Sequence, residues 1–169
     1  MVQSNIFMTG KWEDLVILTF EIEKSQLKPY LPEGSELDLY NGKALLSIVA
    51  FTFSKVKFYG FKVPFHQKFG QINFRFYVKS KKCKTKGVVF IKEFAPKTLI
   101  ALTANIFYNE PYKYKNISHK TKRNNNKLEV TYQHRQTRLK AKSSLETIKL
   151  KQNSINHFVV DRYVAFIKN

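Results

Sequence analysis

Residues 42–78, GKALLSIVAFTFSKVKFYGFKVPFHQKFGQINFRFYV, hold the longest apolar run and the cleanest alternation in the chain, and they decide its fold class. The piece 44–51 is apolar except for Ser47, which suits a strand covered on both faces. The piece 71–78 alternates strictly. Ile72, Phe74, Phe76 and Val78 fall on one face, and Gln71, Asn73, Arg75 and Tyr77 on the other, because side chains alternate along a strand. The polar row is either a solvated surface or the lining of a wet cavity, and alternation alone leaves both open.

Outward from this stretch, the sequence reads as more strands joined by tight turns. Leu15 to Glu23 is a first strand, with Val16, Leu18, Phe20 and Ile22 on one face and Thr19, Glu21 and Glu23 on the other. The segment after it makes one helical turn and breaks at Pro32 and Gly34. Asn41-Gly42 is the strongest hairpin signal, since a type I′ turn needs positive φ at both central residues, and it predicts that residues 37–40 pair with the strand that follows. The lysine-rich tract 79–86 is a hairpin tip, and Pro96, Leu99, Leu102 and Ile106 predict a helix over 95–108. From 112 to 151 the chain alternates again about a turn at 123–127; Ser154 then caps a short helix to about Asp161, and a last strand runs from Tyr163 to Ile167.

Composition bounds the rest. At 169 residues, with no linker or internal repeat, the chain reads as a single domain, 1–169, able to bury roughly 70% of its unfolded surface. Fifteen Phe and nine Tyr favour strands. The net charge of +18 is uneven: residues 111–151 carry twelve Lys or Arg against two Glu, and residues 1–50 carry four against seven acids. Such a surplus bears on steering and non-specific attraction to nucleic acid, and says nothing of fold. Cys83 is alone, and His66, His119, His134 and His157 lie far apart, so no disulfide, metal site or Cys-His nucleophile is indicated. No Walker loop or dinucleotide fingerprint is present, so no cofactor is expected. With no signal-like start and no apolar run of membrane length, a soluble cytoplasmic protein without membrane partners is expected; homo-oligomerisation is left open.

The order W-E-D-L, LKPYLPEGSELDLYNGKALLSIVAF, FGQINFRFYV, KGVVFIKEFAP, NEPY and NSINHFVVDRY resembles the YqjF-like family of uncharacterised bacterial proteins over nearly the whole chain. The resemblance implies a mainly β (α+β) fold, similar to acetoacetate decarboxylase: a strongly curved, mostly antiparallel sheet or partly closed barrel with two or three short helices. In those decarboxylases a lysine directly after a proline forms the Schiff base. Here Pro111 is followed by Tyr112, with Lys113 next, so the imine position lacks an amine. The resemblance also leads one to expect an acid just before N-x-R, where this chain has Gly70 and Gln71, and more chain beyond Asn169. Three readings follow. The first is a barrel binding a small, acid-like molecule on a wall that includes Asn73, Arg75, Tyr77, Tyr112 and Lys113, with no catalytic residue assigned. The second is an enzyme on organic acids using Lys113 or Tyr112. The third is a basic polyanion- or nucleic-acid-binding module that uses the 79–86 loop and the 111–151 ribbons, with Tyr112, Tyr114 and Tyr132 as stacking aromatics. Basic side chains converging on a concavity favour the first two, and basic side chains spread over a convex face favour the third.

Overall fold

The computed structural model describes residues 8–62, 68–95 and 112–168. The helix expected over 95–108 and His66 lie outside these residues, except that Ala95 closes a strand. Ten strands are described: β1 (Met8–Ile22), β2 (Ser35–Leu37), β3 (Ala44–Phe58), β4 (Phe61–Lys62), β5 (Lys68–Ser80), β6 (Lys86–Ala95), β7 (Tyr112–Tyr114), β8 (Ser118–Asn124), β9 (Lys127–His134) and β10 (Thr137–Ser144). A helical turn spans Lys24–Tyr30, and a helix spans Ile155–Val160. Among the described residues no helix is long and apolar enough to cross a membrane.

The main sheet runs β1-β3-β5-β6-β7, with β2 also on β5 and β4 on β3; a second sheet runs β10-β9-β8. All pairings are antiparallel except the parallel β6–β7 pair. The fold is thus mostly β and mostly antiparallel, as expected. It does not form a barrel among the described residues, because β1 and β7 end the strand order without pairing each other.

The Asn41-Gly42 turn forms with φ of 49° and 79°, and Tyr40 and Lys43 exchange both backbone hydrogen bonds at 3.0 Å. The expected pairing of 37–40 with β3 stops at that bridge. Ile22 is already registered with Ala44, and Phe76 with Leu46, so β3 has no free edge to offer. β2 pairs β5 instead, with Leu37 opposite Val78, and Asp38 N donates to Tyr77 O at 2.9 Å.

The C-terminal stretch is also corrected. Tyr163 to Ile167 is not a strand but a single parallel bridge, Val88 with Ala165. It is held by Val88 N to Val164 O (2.9 Å) and Phe166 N to Val88 O (2.8 Å). Tyr163 is 89% exposed, so alternation there reflects no buried face. Gly87 permits this approach, since a Cβ on it would meet Val164 O at 2.5 Å.

Both faces of the main sheet are covered along β5, for different reasons. Phe76 and Val78 are fully covered by Leu27, Leu31, Leu37, Leu39 and Phe166, and Ala50, Ile72 and Phe94 pack under Ile117, Val130 and Tyr132 of the second sheet's side. The opposite face carries Gln71, Asn73, Arg75 and Tyr77, none more than 6% exposed.

Gly42→Val tests the turn cleanly, because a Cβ at Gly42 meets nothing within 4 Å and only the positive φ is at stake. The expected cost is about 1 kcal/mol or more, read as a fall in Tm of about 2–4 °C. Equal melting would show that the turn does not set the register.

Candidate functional site

The polar face is built from three adjacent strands. On β5, Arg75 is registered between Ser47 of β3 and Phe90 of β6, and Asn73 between Val49 and Glu93. The β5–β6 register shifts between Phe74 and Arg75, giving β6 an extra residue at Ile91. That bulge sets Phe90 beside Arg75 and Glu93 beside Asn73. Gln71 Nε2 donates to Glu93 Oε1 at 2.9 Å, and both side chains are 3% exposed. Glu93 therefore sets a carboxylate beside position 71 from across the ladder.

Tyr77 closes one end of the row. Its hydroxyl shares a short hydrogen bond with Ser47 Oγ, which in turn bonds Thr19 Oγ1 at 2.8 Å. The helix Ile155–Val160 lies over this end, with Val159 packed on Leu45, Tyr77 and Val88. Ser154 caps it as expected, accepting from His157 N at 3.2 Å. Six residues do not hold a helix in water by propensity, so its place depends on tertiary contacts. Arg162 supplies them: Nη1 donates to Asp38 Oδ2, Nε donates to Phe158 O at 2.9 Å, and the guanidinium lies 4.1 Å from the Phe158 ring centroid and 5.2 Å from that of Tyr77.

Arg75 is the centre of the arrangement. It is 6% exposed, its Nη2 donates to Val159 O at 2.9 Å, and no carboxylate lies within ion-pair distance of it among the described residues. Its Nε, Asn73 Oδ1 and Gln71 Oε1 are buried without hydrogen-bond partners among the described residues. Three orphaned polar atoms on successive positions of one strand face are unusual, since buried polar groups are nearly always paired with protein or water.

The structure brings Asn73, Arg75 and Tyr77 together and separates Lys113 from them. β6 and β7 register Glu93 with Tyr112 and Phe94 with Lys113. Lys113 is exposed, on the side of the sheet where Lys115 Nζ sits 4.7 Å from the Phe94 ring centroid. It cannot share a pocket with Arg75. Tyr112 is placed by its backbone register alone.

Sequence reasoning missed Ser47, Glu93, Asp38 and Arg162. Ser47 had a signal, as the one polar residue in the run 44–51. The basic region sets its lysines on an exposed face and covers one of the aromatics named in the third reading. Lys120, Lys122, Lys140 and Lys142 spread over the exposed face of the second sheet around Glu129, with Lys140 3.1 Å from its carboxylate. Tyr132 is not available for stacking: it is 1% exposed, its hydroxyl donates to Asp14 O at 2.7 Å, and burial pushes its pKa up to about 12.

Comparison with known proteins places this geometry. Residues 9–169 match the model of the family DUF2071, described as an uncharacterized conserved protein. The chain is 31% identical over 108 residues to the uncharacterized protein YqjF of Bacillus subtilis strain 168, covering 63% of this chain and 44% of that protein. Among solved structures it is similar to acetoacetate decarboxylase of Legionella pneumophila, with a TM-score of 0.60 and 12% identity over 85% of this chain and 52% of that one. It is also similar to the enduracididine biosynthesis enzyme MppR complexed with the condensation product of pyruvate and imidazole 4-carboxaldehyde: TM-score 0.52, 10% identity, 82% and 54% of the two chains. The chain thus spans about half the length of these proteins, and at such identities the likeness to solved structures shows the fold.

The Asp38–Arg162 pair is nearly solvent-free, with side chains 10% and 1% exposed. Asp38→Ala should leave a buried guanidinium unpaired, at a cost of about 3–5 kcal/mol. Glu21→Ala, which breaks the exposed Lys43 pair, should cost no more than about 1 kcal/mol. Thermal melts of the two variants give the comparison, and similar Tm values would remove the clamp assigned to Arg162.

Proposed function

The chain belongs to the DUF2071 family and has an acetoacetate decarboxylase-like fold, and from that premise we propose that its polar sheet face binds a small carboxylate-bearing molecule without forming an imine. The observation that carries this reading is Arg75: a buried guanidinium whose described protein partner is a neutral carbonyl. A buried charge is costly unless it is paired and hydrogen-bonded, and a ligand carboxylate would supply both conditions. The planar fork of arginine suits that partner, and a charge-assisted hydrogen bond of this kind contributes roughly 1.5–3 kcal/mol. Two neighbours in fold, one named for acetoacetate and one complexed with a condensation product of pyruvate, support the ligand class by analogy of fold.

Binding without Schiff-base chemistry is supported by the lack of an amine on this face among the described residues. The described wall offers an amide pair, a guanidinium, hydroxyls and a carboxylate, and Lys113 lies on the other side. Without a primary amine no imine forms, and the electron sink for decarboxylation is lost.

Calorimetric titration with acetoacetate and pyruvate tests the binding reading. Arg75→Ala is expected to weaken binding at least about tenfold, ~1.4 kcal/mol, and Arg75→Lys to lie between, since it keeps the charge and loses the fork. Unchanged affinity in Arg75→Ala would remove the site.

Borohydride trapping in the presence of acetoacetate is expected to leave the protein mass unchanged. A reduced adduct, above all one mapped to Lys113, would move the chain among the imine-forming enzymes.

A further inference from the structure

We infer that the acid this face takes carries a hydrogen-bond donor, a hydroxyl or an ammonium, within one or two carbons of its carboxylate, so that hydroxy and amino acids are preferred to oxo acids. The inference rests on the reading of Arg75 as the carboxylate partner and adds what the rest of the row demands.

Beyond the guanidinium, the unpartnered atoms are acceptors. Asn73 Oδ1 is the next along the face and Gln71 Oε1 the one after. The orientation of Gln71 is fixed by chemistry: its Nε2 donates to Glu93 Oε1, and turning the amide over would set two acceptors against each other. Side chains on one strand face recur about every 6.7 Å. Two hydrogen bonds of about 2.9 Å and the width of a small molecule bridge such a gap, so a ligand held at Arg75 presents its neighbouring substituent to Asn73. With the Asn73 amide oriented as in the structure, a ketone oxygen there faces Oδ1, another acceptor, and leaves it unpaired. A methyl or methylene group buries the acceptor with nothing to replace its lost water. A hydroxyl or ammonium donates to it. A site built to pair with a donor discriminates strongly against the analogue that lacks it, because the orphaned group is on the protein.

Matched pairs test this on the full chain: lactate against pyruvate, 3-hydroxybutyrate against acetoacetate, and alanine against propionate, each titrated by calorimetry. The donor-bearing member is expected to bind at least about tenfold tighter in at least one pair. Asn73→Leu and Gln71→Leu should shrink that ratio towards one, whereas Arg75→Ala should weaken every acid. Melting curves of each variant identify any that fail to fold, and Asn73→Ser keeps an acceptor should Asn73→Leu be one of them. Oxo acids binding as tightly as their hydroxy partners, or a ratio that survives both Leu substitutions, would overturn the inference and leave the carboxylate site standing. Binding of none of the six would overturn both.

Discussion

The ion pair of Asp38 with Arg162 is the constraint on which the candidate site depends. Asp38 is fixed first, by its own N–H to Tyr77 O, at the end of a strand that took β5 because β3 was fully paired. Arg162 then ties the C-terminal helix to that point and stacks on Phe158 and Tyr77. Only with the helix so placed does Val159 O stand where Arg75 Nη2 can donate to it. The side chains involved come from three separated stretches, 35–40, 73–78 and 154–163. Their order in the sequence is what made the family legible, and their meeting is what makes the face dry.

Charge asymmetry takes on a structural meaning in this light. The acidic first part of the chain supplies Asp14 and Asp38, and the basic later part supplies Arg123 and Arg162 to meet them. Asp14 sits at a positive φ of 54° where β1 is bulged, with its carboxylate accepting from Thr121 Oγ1 at 2.6 Å and its carbonyl from Tyr132. One aspartate therefore docks the second sheet and the other docks the helix. Between these two covers the outer face of β1 stays partly open, leaving Leu18 38% and Phe20 51% exposed.

What was legible in the sequence was local. Alternation over 71–78 assigned every face correctly, and Asn41-Gly42 gave its turn, because period and positive φ are properties of the residues themselves. What covers a face is not such a property, so the row Gln71, Asn73, Arg75, Tyr77 read equally well as solvated. Glu93 was hidden for a sharper reason. In GVVFIKEF the pair Lys92-Glu93 reads as a charged rim, and only the extra residue at Ile91 restores Glu93 to the buried side. The pairing of 37–40 failed because a hairpin signal specifies a turn and not whether the next strand's edge is free.

Strand parity carries the last step, from fold to chemistry. Side chains alternate with period two, so a slip of one residue moves a group to the opposite face. In the β6–β7 pair it is position 112 that is registered with Glu93, and position 113 with Phe94. Within this pair an amine reaches the polar face only from a position sharing the register of Glu93, and the lysine of β7 stands at 113, one residue out of phase. The same sheet can therefore present or withhold a β7 amine on that face according to one position, with no change in strand order. That is why likeness of fold at 12% identity leaves the reaction undetermined, and why the inference about this chain rests on its own buried donors and acceptors.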